Sequence, residues 1–163
     1  MCLQNYGIMA KRFPIGIQDF EKLRKSGFCY VDKTALVYEI ANGSQYNFLS
    51  RPRRFGKSLL VSTLKAYFLG KKELFEGLAM ADLEKDWTTY PVFHIDFVGR
   101  SYNEIKDLYY RLENLVSEWE DLYGKSEAEL DLHERFKNLI KAAYDKTGKQ
   151  VVILIDEYDK PLI

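Results

Sequence analysis

The chain has 163 residues, 47% hydrophobic and 29% charged, with 24 Lys+Arg against 24 Asp+Glu. This is the composition of a globular domain with a sizeable core, and 10 Gly and 4 Pro are too few for collagen or a low-complexity linker. No apolar run reaches the roughly 20 residues of a membrane helix, and zero net charge gives no support to a protein that coats duplex nucleic acid.

The balance hides an asymmetry. Residues 1–60 carry 10 basic and 4 acidic groups, while residues 61–163 carry 14 and 20. Arg51, Arg53, Arg54 and Lys57 fall within seven positions. A cationic loop of that density implies a polyanion close by, and a triphosphate is the smallest candidate. The first eight residues lack the basic start and apolar stretch of a secretory signal. Two cysteines, Cys2 and Cys29, are too sparse for a disulfide framework. A reduced, cytoplasmic setting is the expectation.

In chain order, Arg12–Gly16 reads as a loop and Gln18–Lys25 as a short helix ended by Gly27. Thr34 opens a helix that runs to about Ala41, where Asn42-Gly43 stops it. Tyr46–Ser50 is expected as a short strand feeding the arginine loop. Ser58–Leu69 follows as a helix with Leu60, Leu64, Tyr67 and Phe68 on one face and Gly70 as its stop. A short helix over Glu73–Leu78 and an irregular acidic stretch around Asp82–Asp86 come next.

Pro91–Phe97 is the second expected strand. Asn103–Tyr123 is the clearest helix, with Ile105, Leu108, Leu112, Leu115, Trp119 and Leu122 in alternating steps of three and four. That seam lasts under three heptads, so the helix is expected to pack against a sheet rather than in a coiled coil. A further helix spans Glu127–Lys146, with Leu132, Phe136, Leu139, Ile140 and Ala143 inward. Val151–Ile155 is a β-branched run, the pattern of a strand buried on both faces of a parallel sheet. Strands alternating with long helices predict a doubly wound α/β layout.

Two segments carry chemistry. Arg51-Pro-Arg-Arg-Phe-Gly56-Lys57-Ser58 fits the phosphate-binding form G-x-x-x-x-G-K-[ST], except that Arg51 stands at the first glycine. Gly56 lets backbone N–H groups approach phosphate oxygens at the positive end of a helix. Lys57 is placed for the β- and γ-phosphates and the Ser58 hydroxyl for Mg²⁺. If position 51 needs a positive φ, an arginine there costs about 1–2 kcal/mol. Arg53 and Arg54 have two readings: extra positive potential over the phosphates, or a face toward solvent or a neighbouring subunit.

The second segment is Val151–Ile155 followed by Asp156-Glu157, the Walker B form. The strand end delivers Asp156 to a magnesium site through water, and Glu157 is placed to orient and deprotonate an attacking water. Ser58 and Asp156 lie 98 residues apart, which leaves room for one more strand and its crossovers.

Other candidates carry less. His94 reads as a hydrogen-bonded core or edge residue and His133 as solvated. Asp96 ends the second strand near the expected nucleotide, with a water-mediated role as one reading. Asp159 reads as a turn or cap residue. Tyr30 and Asp32 precede the segment that feeds the loop, with an adenine contact as one reading and packing and capping as the other.

Tyr30–Thr34, Phe48–Leu60, Tyr90–Phe97 and Ile153–Asp159 together resemble the predicted AAA-ATPase-like family of bacteria, over roughly residues 10–163. Arg-Pro-Arg-Arg-Phe-Gly-Lys-Ser is that family's own loop wording, so Arg51 departs from the general motif and not from the family. The resemblance implies a P-loop NTPase-like sheet cut short after the Walker B strand. Residues 1–29 are expected as an N-terminal extension and 30–163 as the first part of the ATPase-like domain. It also implies a following nuclease-like domain of the PD-(D/E)XK type, through which nucleic acid would be a partner.

The site expected is Lys57 and Glu157 for catalysis, residues Arg53, Arg54, Phe55, Gly56, Lys57, Ser58 and Leu59 for nucleotide, and Ser58 with Asp156 for metal. ATP and Mg²⁺ are the expected ligands, with Mg-dependent hydrolysis in the complete protein and self-association as a further possibility. The alternatives are a nucleotide-gated switch with little turnover, or a nucleic-acid-associated module whose arginine loop meets phosphodiester backbone. The 163 residues alone are expected to bind ATP weakly, turn it over negligibly and associate through an open sheet edge.

Overall fold

The computed structural model describes residues 12–52, 54–97, 104–126 and 130–160. Four helices come first: α1 (Phe20–Lys25), α2 (Thr34–Asn42), α3 (Lys57–Phe68) and, after a 3-10 turn at Lys72–Phe75, α4 (Ala79–Leu83). Then follow β1 (Val92–Asp96), α5 (Ile105–Tyr123), α6 (Leu132–Thr147) and β2 (Val152–Asp156). The two strands pair in parallel, from Val92 opposite Val152 to Asp96 opposite Asp156. Parallel neighbours need a long crossover, and α5 and α6 form it.

Side chains alternate across a strand, so the register sorts the sheet into two faces. On one face Leu154 packs with Phe20, Val37, Leu64, Phe75 and Met80, the core contributed by the first half of the chain. On the other, Phe93 is fully buried among Leu115, Val116, Trp119, Leu139 and Ala143. Phe93 stacks on Trp119 with ring centroids 4.6 Å apart. Helices thus cover both faces of a parallel pair, the α/β layering expected from the sequence.

Helix ends follow their sequence signals. The Asp19 carboxylate accepts from the Lys22 N–H at 2.7 Å, and Asp131 accepts from Glu134 N–H at 2.9 Å. Gly148 closes α6 in the left-handed conformation at φ 65°. Among the described residues, no helix is long and apolar enough to cross a membrane.

Several expectations are corrected. Residues 46–50 form no strand, and Tyr46 and Phe48 are exposed. A strand exists only with a ladder partner, and no described residue supplies one to this segment. The run Val151–Ile155 is not buried on both faces, because Ile153 and Ile155 are 42% and 49% exposed. Helices α5 and α6 centre on Phe93 of β1, so that layer shields β1 more than β2. On α5 the buried set is Leu115, Val116, Trp119 and Glu120, while Ile105 and Leu122 are exposed.

Glu120 is buried because it has a partner. The Arg135 guanidinium donates from Nε to Glu120 Oε1 at 3.0 Å and from Nη2 to Oε2 at 2.7 Å. The expected helix over Glu73–Leu78 is a 3-10 turn ending at Phe75, and α4, which starts at Ala79, runs only into the first residues of the stretch around Asp82–Asp86 expected to be irregular.

Candidate functional site

The site is built where α3 begins and β2 ends. Gly56 caps α3 at φ 76°, a left-handed conformation that glycine adopts without penalty. Lys57 and Ser58 are therefore the first two residues of the helix, where backbone N–H groups have no partner within the helix and the dipole favours an anion. The Lys57 ammonium donates to the Arg51 carbonyl at 2.9 Å, drawing the loop closed under it.

The strain expected at Arg51 lies elsewhere. Among described non-glycine residues the positive φ angles belong to Arg54 (69°), Trp87 (45°) and Glu157 (54°). Arg51 thus needs no glycine, and the loop's bend falls on Arg54 and Gly56. Two of the three residues flank the same cleft.

Helix α3 packs against β2, which sets Asp156 and Glu157 opposite the loop. Asp156 is 6% exposed, and its carboxylate accepts from the Glu157 N–H at 3.0 Å. Glu157 then opens a turn closed by Lys160 N–H donating to the Glu157 carbonyl at 3.0 Å. The Tyr158 ring meets Phe48 at 5.6 Å, bracing this turn against the segment that enters the loop. Between the two walls lies a cleft of about 310 Å³ lined by Arg54, Lys57, Ser58, Glu157 and Lys160. It collects three cations and one carboxylate.

The donor set suits a small hard cation. Mg²⁺ keeps most of its waters and takes only one or two protein oxygens. The Ser58 hydroxyl and the buried Asp156 carboxylate are donors of that kind. Among the described residues, no cluster of three or more His, Cys, Asp or Glu could hold a metal by itself.

Of the other expected nucleotide contacts, Phe55 is 64% exposed, and Leu59 turns its side chain into the core beside α3. Arg53 lies outside the described residues. Tyr30 and Asp32 are engaged elsewhere. The Tyr30 ring packs edge-on to Phe20 at 5.2 Å, and burial pushes its phenol pKa up. Asp32 accepts from Thr34 N–H at 2.8 Å and from Ala79 N–H at 2.7 Å, tying the starts of α2 and α4 together. These are the packing and capping roles.

His94 shares the Leu154 face of the sheet, with Nδ1 3.5 Å from the Lys65 ammonium of α3 and a buried Nε2 without a described partner. Burial, then the Lys65 charge, holds its pKa below the usual imidazole value. Asp96 stands beside Asp156 in the register, and its carbonyl accepts from Arg111 Nη2 at 3.4 Å. His133 and Asp159 are exposed. Lys160 was not singled out from the sequence; its signal is its place three residues after Glu157, on the turn that closes the cleft.

A family model described as a predicted AAA-ATPase matches residues 14–163. An uncharacterized protein in the vnfD 5′ region of Azotobacter chroococcum mcd 1 is 40% identical over 155 residues, covering 94% of this chain and 30% of that protein. No solved structure matches. The chain belongs to the predicted AAA-ATPase family, and it spans 30% of the length of the curated relative it matches.

Proposed function

We propose that this member of the predicted AAA-ATPase family binds ATP with Mg²⁺ in the cleft between α3 and the β2 turn, and that the complete protein hydrolyses it. One observation carries the reading: Lys57 and Ser58 at the start of α3 share a cleft with Glu157, nearly a hundred residues later in the chain. At about 310 Å³ the cleft sits at the lower limit of small-molecule sites, ~300–1,000 Å³. That is enough for the phosphate end of a nucleotide.

In this reading the first N–H groups of α3 and the Lys57 ammonium hold the phosphates, with Arg53 and Arg54 adding positive potential. Ser58 and Asp156 would hold Mg²⁺, which when bound neutralises charge on the phosphate oxygens. Glu157 orients a water and takes its proton as the water oxygen bonds the terminal phosphorus. The bond from that phosphorus to the bridging oxygen breaks, and ADP leaves with the electron pair.

Titration calorimetry with ATP, with and without Mg²⁺, tests the reading. Lys57→Ala should weaken ATP at least about tenfold, since a charge-assisted contact contributes roughly 1.5–3 kcal/mol. Glu157→Gln should leave ATP affinity within about twofold and, in the full-length protein, cut phosphate release by about 100-fold or more. Unchanged affinity in Lys57→Ala sinks the proposal.

A further inference from the structure

We infer that Lys160 is a second phosphate-binding cation, facing the terminal phosphate from the wall opposite Lys57. The inference rests on the nucleotide reading of the cleft and adds to it a residue that distinguishes ATP from ADP.

The walls supply charge differently. Arg54 and Lys57 come from the loop and the first turn of α3, whereas Glu157 and Lys160 come from the turn after β2. Phosphates held at the start of a helix lie along the loop wall. In the proposed pose the outermost group of a triphosphate would extend toward the other wall, which Lys160 lines.

Charge gives a second reason. Three cations line the cleft against the Glu157 carboxylate and, behind it, the buried Asp156 carboxylate, which leaves one positive charge in excess for an anionic ligand. Like charges that share a cleft repel one another, and a polyanion reverses the sign of that energy. Among the described residues Lys160 forms no ion pair, so its ammonium is available to such a ligand. It is also held in place: its own N–H closes the turn on Glu157, and Tyr158 within that turn is braced on Phe48. The backbones of Lys160 and Glu157 are thus tied together, and in this proposal a terminal phosphate that engages the lysine lies beside the carboxylate.

The test compares ATP·Mg²⁺ with ADP·Mg²⁺ by calorimetry on the whole chain, in wild type, Lys160→Ala, Lys160→Arg and the surface control Lys141→Ala. Lys160→Ala should weaken ATP about tenfold and ADP no more than about twofold. Lys160→Arg should recover ATP affinity to within about threefold, because the charge is kept. The Lys141 control should bind both nucleotides like wild type. An equal loss for ATP and ADP in Lys160→Ala, or no loss for either, overturns the role of Lys160 and leaves the Lys57 site standing. A wild type that binds neither nucleotide overturns both.

Discussion

Lys57 and Arg51 are joined by a single hydrogen bond, from the lysine ammonium to the arginine carbonyl at 2.9 Å. The contact uses Arg51's backbone and not its side chain, so the loop closes the same way whatever residue stands at 51. This explains how the segment dispenses with the first glycine of the general motif. The lysine is also held by a neutral oxygen rather than a carboxylate, so an arriving phosphate displaces no ion pair.

From this follows a pair of predictions of opposite sign. Arg54 sits at φ 69°, and a side chain in that region costs up to about 1–2 kcal/mol. Arg54→Gly should therefore raise stability by up to about 1 kcal/mol while weakening ATP. Arg51→Gly relieves no such strain and only loosens the unfolded chain, so it should lower stability by about 0.5–1 kcal/mol. Urea midpoints of the two variants decide it. A loss of stability in Arg54→Gly would show that the bend is not strained.

The candidate cleft was legible because its residues sit in short patterns tied to element ends. A glycine-lysine-serine after an arginine loop and two acids after an apolar run are local signals, and the fold brings them together. What escaped was non-local. Whether residues 46–50 form a strand depends on a partner, not on their own pattern. Glu120 belongs to a charged position of α5, and its burial follows from Arg135 on α6, fifteen residues away. Lys160 lies in a turn without periodicity, and only the folded cleft gives it a meaning.

The Glu120–Arg135 pair gives the second prediction. Glu120 is 4% exposed at its side chain and Arg135 14%, and Arg135 also donates to Ser117 Oγ at 2.9 Å. The pairing raises the arginine pKa further. Removing Arg135 leaves the buried Glu120 charge uncompensated, which costs about 3–5 kcal/mol, whereas Arg135 without Glu120 keeps its pair with Glu113 at 3.4 Å. Arg135→Met should be destabilised by that order, and Glu120→Leu by less. The double variant should recover most of the loss, because two apolar side chains of similar volume suit the neighbouring cluster of Leu115, Trp119 and Leu139. Denaturation of all four proteins closes a double-mutant cycle. Additive losses would mean that the pair is not coupled.

The last prediction concerns acid and rests on His94. Its environment draws on four elements: Lys65 of α3 and Arg111 of α5 oppose protonation, and Asp96 of β1 and Asp156 of β2 favour it. Burial is the largest influence and the balance keeps the ring neutral, with a pKa below its ordinary 6.5. The sign follows directly. Above about pH 6.5 neither folded nor unfolded chain protonates this group, and its contribution is fully present. As pH falls below that value the unfolded chain takes up a proton that the fold resists, so stability is lost toward the lower folded pKa.

Carboxylates act in a separate window. Glu21, hydrogen-bonded by Lys25 and Lys71, is pulled from 4.5 to about 2, so its contribution disappears only below about pH 4.5. The interval between pH 6.5 and 4.5 thus reports on the imidazole. Urea midpoints of wild type and His94→Gln should differ by a constant amount at pH 7 and above, and wild type should lose ground to the variant as pH drops from 6.5 to 5. Parallel pH profiles for the two proteins would show that His94 does not titrate against the Lys65 contact.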